Sequence, residues 1–166
     1  GYKNEAITKE ETLESLARLN LYLEIPYQAA TLIEKNIQQG SIEENEENLR
    51  LLLGAWTAAR EFKKAISVID VLAPLTGEGK LYIQKAMLLN ESGDWEGVQE
   101  ATEKALTDQE LENPGDVYIL RGMAQTELGN YAQAISSFTE AMEIGTETNK
   151  RNAEAWIDYV SDRKGS

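Results

Sequence analysis

Residues 115–145 read GDVYILRGMAQTELGNYAQAISSFTEAMEIG. Tyr118 and Gly122 lie four residues apart before the Gly129-Asn130-Tyr131 turn, and Ala134, Phe138 and Ala141 follow it at steps of four and three. This spacing puts an apolar stripe on each of two helices. Glycine suits the left-handed end of the first helix and asparagine the start of the second, so the turn between them is written locally. Small residues at positions 122 and 134 let the two helices approach closely, while Tyr131 fills the angle to the next pair.

The same pattern occurs four times. Its small positions fall at Ala17, Leu53, Ala86 and Gly122 in the first helices and at Ala29, Ala65, Val98 and Ala134 in the second. Both series step by 36, 33 and 36 residues, so two independent markers agree on one period. Residues 115–145 resemble a complete tetratricopeptide repeat, a helix–turn–helix unit of about 34 residues. The third copy matches at Tyr82, Ala86, Gly93-Asp94-Trp95 and Ala105, whereas the first two are more divergent. Phe62 and Trp95 take the place of Tyr131 in the second and third copies.

Helices are predicted at 8–23, 26–39, 45–59, 62–73, 79–92, 94–107, 115–128, 131–144 and 148–163. The linkers between pairs are Gly40-Ser41, Pro74 to Gly79, Asn113-Pro114-Gly115 and Gly145-Thr146. The expected fold is all-α: a tetratricopeptide-type α-α superhelix, or solenoid, of four helix pairs plus a C-terminal capping helix. It forms a single domain over 1–166, with repeats at 8–40, 45–77, 79–112 and 115–146 and the cap at 147–164. In that cap Ala153, Trp156, Ile157 and Val160 form one apolar stripe, while Glu154, Asp158, Asp162, Arg163 and Lys164 stay in water. A solenoid needs such a cover over its exposed end.

Composition narrows the function. The chain has 16 Lys and Arg against 29 Asp and Glu, a net charge of -13. Nucleic acid is therefore not an expected partner, because phosphate binding draws its affinity from cationic side chains. The same sign disfavours an anionic membrane surface, and no apolar run of about 18 residues is present to span a bilayer. The opening GYKNEAITKEE contains no basic-then-apolar leader. The segment is expected to be part of a longer protein, so that absence says nothing about its compartment.

With no Cys and no His, thiolate chemistry, the usual zinc sites and imidazole acid–base catalysis are missing. No GxSxG elbow occurs, and no Ser or Thr has a His to activate it. TGEGKLY, at 76–82, superficially resembles a phosphate loop. Pro74 stands where the leading glycine belongs, Leu81 follows Lys80 in place of Ser or Thr, and no strand precedes it, so it reads as a linker between repeats. Glu43, Glu44, Glu46 and Glu47 lack the loop pattern of a calcium site and read as a charged helix N-terminus. No catalytic residue, metal ligand or cofactor site is assigned. A carboxylate-dependent hydrolase is the remote third reading.

Holding a protein or peptide is the expected activity. In a tetratricopeptide array the first helix of each pair lines the concave surface. The repeat register places Arg18, Tyr22, Arg50, Thr57, Ile83, Met87, Asn90, Ile119, Met123 and Glu127 there as the candidate peptide-binding groove. Arg18 and Arg50 are expected to orient an acidic stretch or a carboxylate of the ligand. Some chaperone-binding tetratricopeptide proteins clamp a terminal carboxylate with paired Lys and Asn. The matching positions hold Arg18, Gly54, Met87 and Met123 here, so that subtype is not expected.

A more particular resemblance covers most of the chain. Ile25-Pro26-Tyr27 with Ala29-Ala30, Leu51-Leu52 with Ala55-Trp56, Ala59-Arg60-Glu61, Asn113-Pro114-Gly115 and Trp156 carry it. These residues are similar to the C-terminal part of tetratricopeptide proteins found with TonB, ExbB and ExbD energy-transduction components in marine and related Gram-negative bacteria. Two positions depart from the repeat pattern: Leu53 stands at a position that is usually Gly, and Arg121 where an apolar residue is usual. The resemblance implies a periplasmic accessory protein that contacts TonB, ExbB or ExbD-type components. The alternative is a generic tetratricopeptide adaptor in envelope assembly or the cytoplasm.

Overall fold

A computed structural model describes Thr12 and residues 22–165. Among these residues the secondary structure is helix and turn, with no strand. Helix α1 includes residues 22–38, and α2 (Glu46–Ala58), α3 (Phe62–Thr76), α4 (Gly79–Ser92), α5 (Trp95–Ala105), α6 (Pro114–Glu127), α7 (Tyr131–Ile144) and α8 (Glu147–Lys164) follow. The residues predicted as pairs at 45–77, 79–112 and 115–146 contain α2–α3, α4–α5 and α6–α7, and those predicted as the cap form α8. The first helix of the predicted first pair lies largely outside the described residues.

Two predicted boundaries are corrected. No break separates Leu23 from Pro26, since residues 22–38 are continuously helical. Helix α3 runs past Ala73 through Pro74 to Thr76. A proline removes one N–H donor and crowds the preceding turn, which favours a stop but does not impose one. In α3 the end is tied down after Pro74, where the Gly77 N–H donates to the Ala73 carbonyl at 2.9 Å and the Thr76 hydroxyl donates to the same oxygen at 3.3 Å.

The turns inside the pairs share one geometry. Gly93 and Gly129 take φ of 76° and 77°, and the amides of Asp94 and Asn130 reach back five residues to the carbonyls of Leu89 and Gln125. That is the six-to-one bond of a Schellman ending. The equivalent turn after α2 makes the same bond, from Glu61 to Trp56 at 2.9 Å, with Arg60 in the left-handed conformation at φ 59°. A non-glycine residue there costs about 1–2 kcal/mol. Asp94 caps α5 by accepting from the Gly97 N–H at 3.0 Å, whereas the Asn130 side chain makes no cap bond to α7.

The fold packs as two compact units, residues 1–72 and 73–166. In the first, Leu49, Leu52, Leu53 and Trp56 of α2 and Ala65, Val68, Ile69 and Leu72 of α3 are buried. Trp56 is the largest of these side chains. Tyr27 meets it edge-on at 5.4 Å and the Lys64 ammonium lies 4.4 Å from its ring centroid. The register of the second helices needs one correction in this unit: Ala29 is exposed and Ala30 is the fully buried alanine. Gly54 has open space around it, and Leu53 fills the core position.

In the second unit α4 packs on α5, α5 on α6, α6 on α7 and α7 on α8. Helix α6 also touches α8, the contact that the first helix of one pair makes with the first helix of the next. Ala86, Val98, Ala101 and Ala124 form one buried cluster, and Ala134, Phe138, Ala141, Ala153 and Val160 another. Trp156 of α8 stacks on Phe138 with ring centroids 5.5 Å apart and planes 9° from parallel. Ala153 and Val160 are completely buried, so α8 covers the apolar side of the fourth pair.

Candidate functional site

The second unit contains an open cleft of about 830 Å³ bordered by α4, the α5–α6 connection, α6 and the start of α8. Ile83 and Met87 face it from α4 and Ile119 and Met123 from α6. Each pair is spaced i, i+4, so both members lie on one face of their helix. Ile119 and Met123 are the repeat equivalents of Ile83 and Met87, one period of 36 residues later. The cleft floor is therefore a consequence of the repeat. Met87 is 59% exposed, a large apolar side chain left in solvent.

The border of the cleft is held by long-range polar contacts. Gly79 opens α4, and its N–H donates at 2.8 Å to Asp108, a residue 29 positions later. The other carboxylate oxygen of Asp108 accepts from the Glu110 N–H at 3.0 Å. Asp108 thus takes up the orphan donor at the α4 N-terminus, where the adjacent Glu78 side chain makes no cap bond. Gly79 leaves no room for a side chain, because a Cβ there would fall 2.7 Å from the Ala105 carbonyl and 2.8 Å from Leu111. The segment resembling a phosphate loop is in fact a helix–helix turn whose leading amide is already bonded to a carboxylate. At the other end, buried Asn149 donates at 2.7 Å to Asp116 and closes a capping box with Thr146.

The amides of Gly79 and then Glu110 hold the Asp108 carboxyl below its ordinary range. Because its folded value lies below the unfolded one, the stabilisation is present above the unfolded carboxylate value. It is lost as pH falls through the folded value. Asp108→Asn is expected to lower the urea midpoint at neutral pH, and the gap from the parent protein should close on acidification through that window. Equal midpoints at neutral pH would show that the cap contributes nothing.

Of the ten residues that the sequence places in the groove, the structure brings four together: Ile83, Met87, Ile119 and Met123. Asn90 and Glu127 lie further along α4 and α6 and do not line the cleft. Tyr22 is exposed on α1. Thr57 donates its hydroxyl to the Leu53 carbonyl at 2.7 Å. Arg50 is half-buried and pairs with Glu46 one turn earlier at 2.8 Å, so it is not the isolated cation expected from the sequence. Arg18 lies outside the described residues. The reading of the groove missed Asp108, Glu110, Glu112, Asp116 and Asn149, which also border the cleft. Only Asp116 had a local signal, as an acidic residue in the first turn of a helix.

Among the described residues no group of three or more His, Cys, Asp or Glu side chains is arranged to hold a metal ion. No described helix is long and apolar enough to cross a membrane.

No family model matches the chain, and no curated protein matches it in sequence. Solved structures do match. MamA superimposes with a TM-score of 0.64 at 16% identity, over 88% of this chain and 82% of that one. The TPR domain of Arabidopsis OM64 gives 0.55 at 20% identity, over 69% of this chain and 93% of the domain. The TPR2B domain of yeast Sti1, solved as a complex with pHsp70, gives 0.57 at 18% identity, over 71% of this chain and 97% of that one. The fold is thus an all-α helical repeat of the tetratricopeptide, α-α superhelix class.

Proposed function

We propose that this tetratricopeptide-fold chain is an interaction scaffold that seats a protein or peptide segment in the cleft between α4, α6 and α8. The observation that carries this reading is the apolar floor of exposed Met87 and half-buried Ile83, Ile119 and Met123 in an open cleft of about 830 Å³. A volume of roughly 300–1,000 Å³ accommodates a few side chains of a bound segment. Unbranched, polarisable methionine adapts to ligands of different shape. The Sti1 domain of the same fold is seen in complex with pHsp70, which supports the use of such a fold to hold another protein.

The finer assignment rests on the sequence resemblance. On that resemblance the proposed role is that of a periplasmic accessory protein of a TonB system, with TonB, ExbB or ExbD-type components as the proposed partners. A generic adaptor in envelope assembly or the cytoplasm is the second reading, and it uses the same cleft.

Titration calorimetry against the periplasmic domains of TonB and ExbD from the same organism tests both levels. Binding is expected, and the Met87→Glu/Met123→Glu variant should weaken it at least about tenfold, since it places two charges on a desolvated contact. Circular dichroism serves as the folding control. Failure of the parent protein to bind either domain would overturn the TonB assignment. Binding undiminished in the double variant would overturn the cleft.

A further inference from the structure

The charge around the cleft is one-sided. Its border carries five carboxylates, on Glu78, Asp108, Glu110, Glu112 and Asp116, against the single ammonium of Lys80. Lys80 lies 3.6 Å from a Glu78 oxygen, so its charge is partly matched within the protein. Asp108 and Asp116 are fixed in place by bonds to the α4 N-terminus and to Asn149. Glu110 and Glu112, on the α5–α6 connection, are exposed and have no side-chain partner in the structure. An apolar floor with low-dielectric walls concentrates the field of such a rim on whatever enters.

We infer that the occupant of this cleft is a cationic protein segment, with apolar side chains seated on Ile83, Met87, Ile119 and Met123 and flanking Lys or Arg side chains facing Glu110 and Glu112. The inference rests on the cleft being the binding site and adds the chemistry of the partner. It differs in sign from the expectation built on Arg18 and Arg50, because Arg50 is paired with Glu46 and does not line this cleft. A ligand bringing its own carboxylate to this rim meets like charge, which specific interfaces use to reject partners. Apolar anchors set the residence time, while the rim carboxylates govern encounter rate and salt dependence.

The test is a selection of random dodecapeptides displayed on phage, using the whole chain as bait and keeping only peptides that lose binding to Met87→Glu/Met123→Glu. The retained peptides should combine apolar residues with an excess of Lys and Arg. Their affinity for the Glu110→Gln/Glu112→Gln variant should fall about three- to tenfold at low salt, a difference that shrinks as ionic strength rises. Both glutamates are exposed and bond to nothing through their side chains, so this variant folds as the parent does. Retained peptides of neutral or acidic charge, or basic ones that bind both proteins equally, would overturn the charge inference and leave the cleft standing. A selection that yields no cleft-dependent peptide would overturn the cleft as a binding site and this inference with it.

Discussion

Gly122→Leu is expected to destabilise the protein by about 1–3 kcal/mol, the range for overpacking a filled core. A Cβ on Gly122 would fall 2.6–2.8 Å from three ring carbons of Phe138, which is completely buried and stacked on Trp156. The ring must shift to admit the new side chain, and because it stacks on Trp156 the strain passes to the α6–α7 contact and onward to α8. Helix propensity acts in the opposite direction, because replacing a helical glycine gains about 1 kcal/mol. The expected net loss therefore depends on the close approach. Glu154→Ala, on the exposed face of α8, should stay within about 0.5 kcal/mol of the parent. Denaturant unfolding of both variants checks this. Equal midpoints would mean that α6 and α7 do not meet through Gly122.

Removing residues 147–166 should have a larger effect. Helix α8 contributes Ala153 and Val160, both completely buried, and the partly buried Trp156 and Ile157 to one cluster with Phe138. Each large apolar side chain withdrawn from water contributes about 1.5–3 kcal/mol, so the loss is on the order of 5 kcal/mol. That is comparable with the whole stability of many domains. The truncation also strips Asn149 from Asp116 and bares the faces of α6 and α7. Self-association should follow, because a large exposed apolar patch seeks cover. Light scattering and thermal unfolding together read the outcome. A monomeric truncation as stable as the parent would show that α8 is not a cap.

Much of the fold was legible because the repeat states it several times. Helix ends at Gly93 and Gly129 are written in single residues with strong backbone preferences, and the structure ends its helices there, while α6 starts at Pro114, one residue before the predicted start. Where those residues are missing, legibility falls. Arg60 takes the conformation of Gly93 and Gly129 without any local sign; only its position two residues before Phe62, equivalent to Trp95 and Tyr131, points to it. Ala29 and Ala30 are adjacent and alike, so spacing alone did not tell which one faces inward. Pro74 reads as a stop, yet α3 accepts it in the last turn.

The cleft was half legible, for a similar reason. Ile83, Met87, Ile119 and Met123 follow from helical period and repeat register. Its acidic border does not, because Asp108 reaches α4 across 29 residues and no periodic pattern encodes that contact. The Arg50–Glu46 pair was within reach, since an i, i+4 pair of opposite charge on a helix is expected to close.

The measurement that bears most directly on the scaffold reading is methionine methyl NMR of the whole chain with carbon-13 at the methyl groups. The chain has three methionines. Met87 and Met123 border the cleft, while Met142, which packs against the Phe138 cluster as Met123 also does, does not line the cleft and provides an internal control. On titration with a basic peptide retained by the selection, the Met87 and Met123 signals should move together along one binding curve while Met142 stays in place. If fluorescence anisotropy reports binding of the same peptide while Met87 and Met123 stay still, or if Met142 alone moves, the cleft is not where this protein holds its partner.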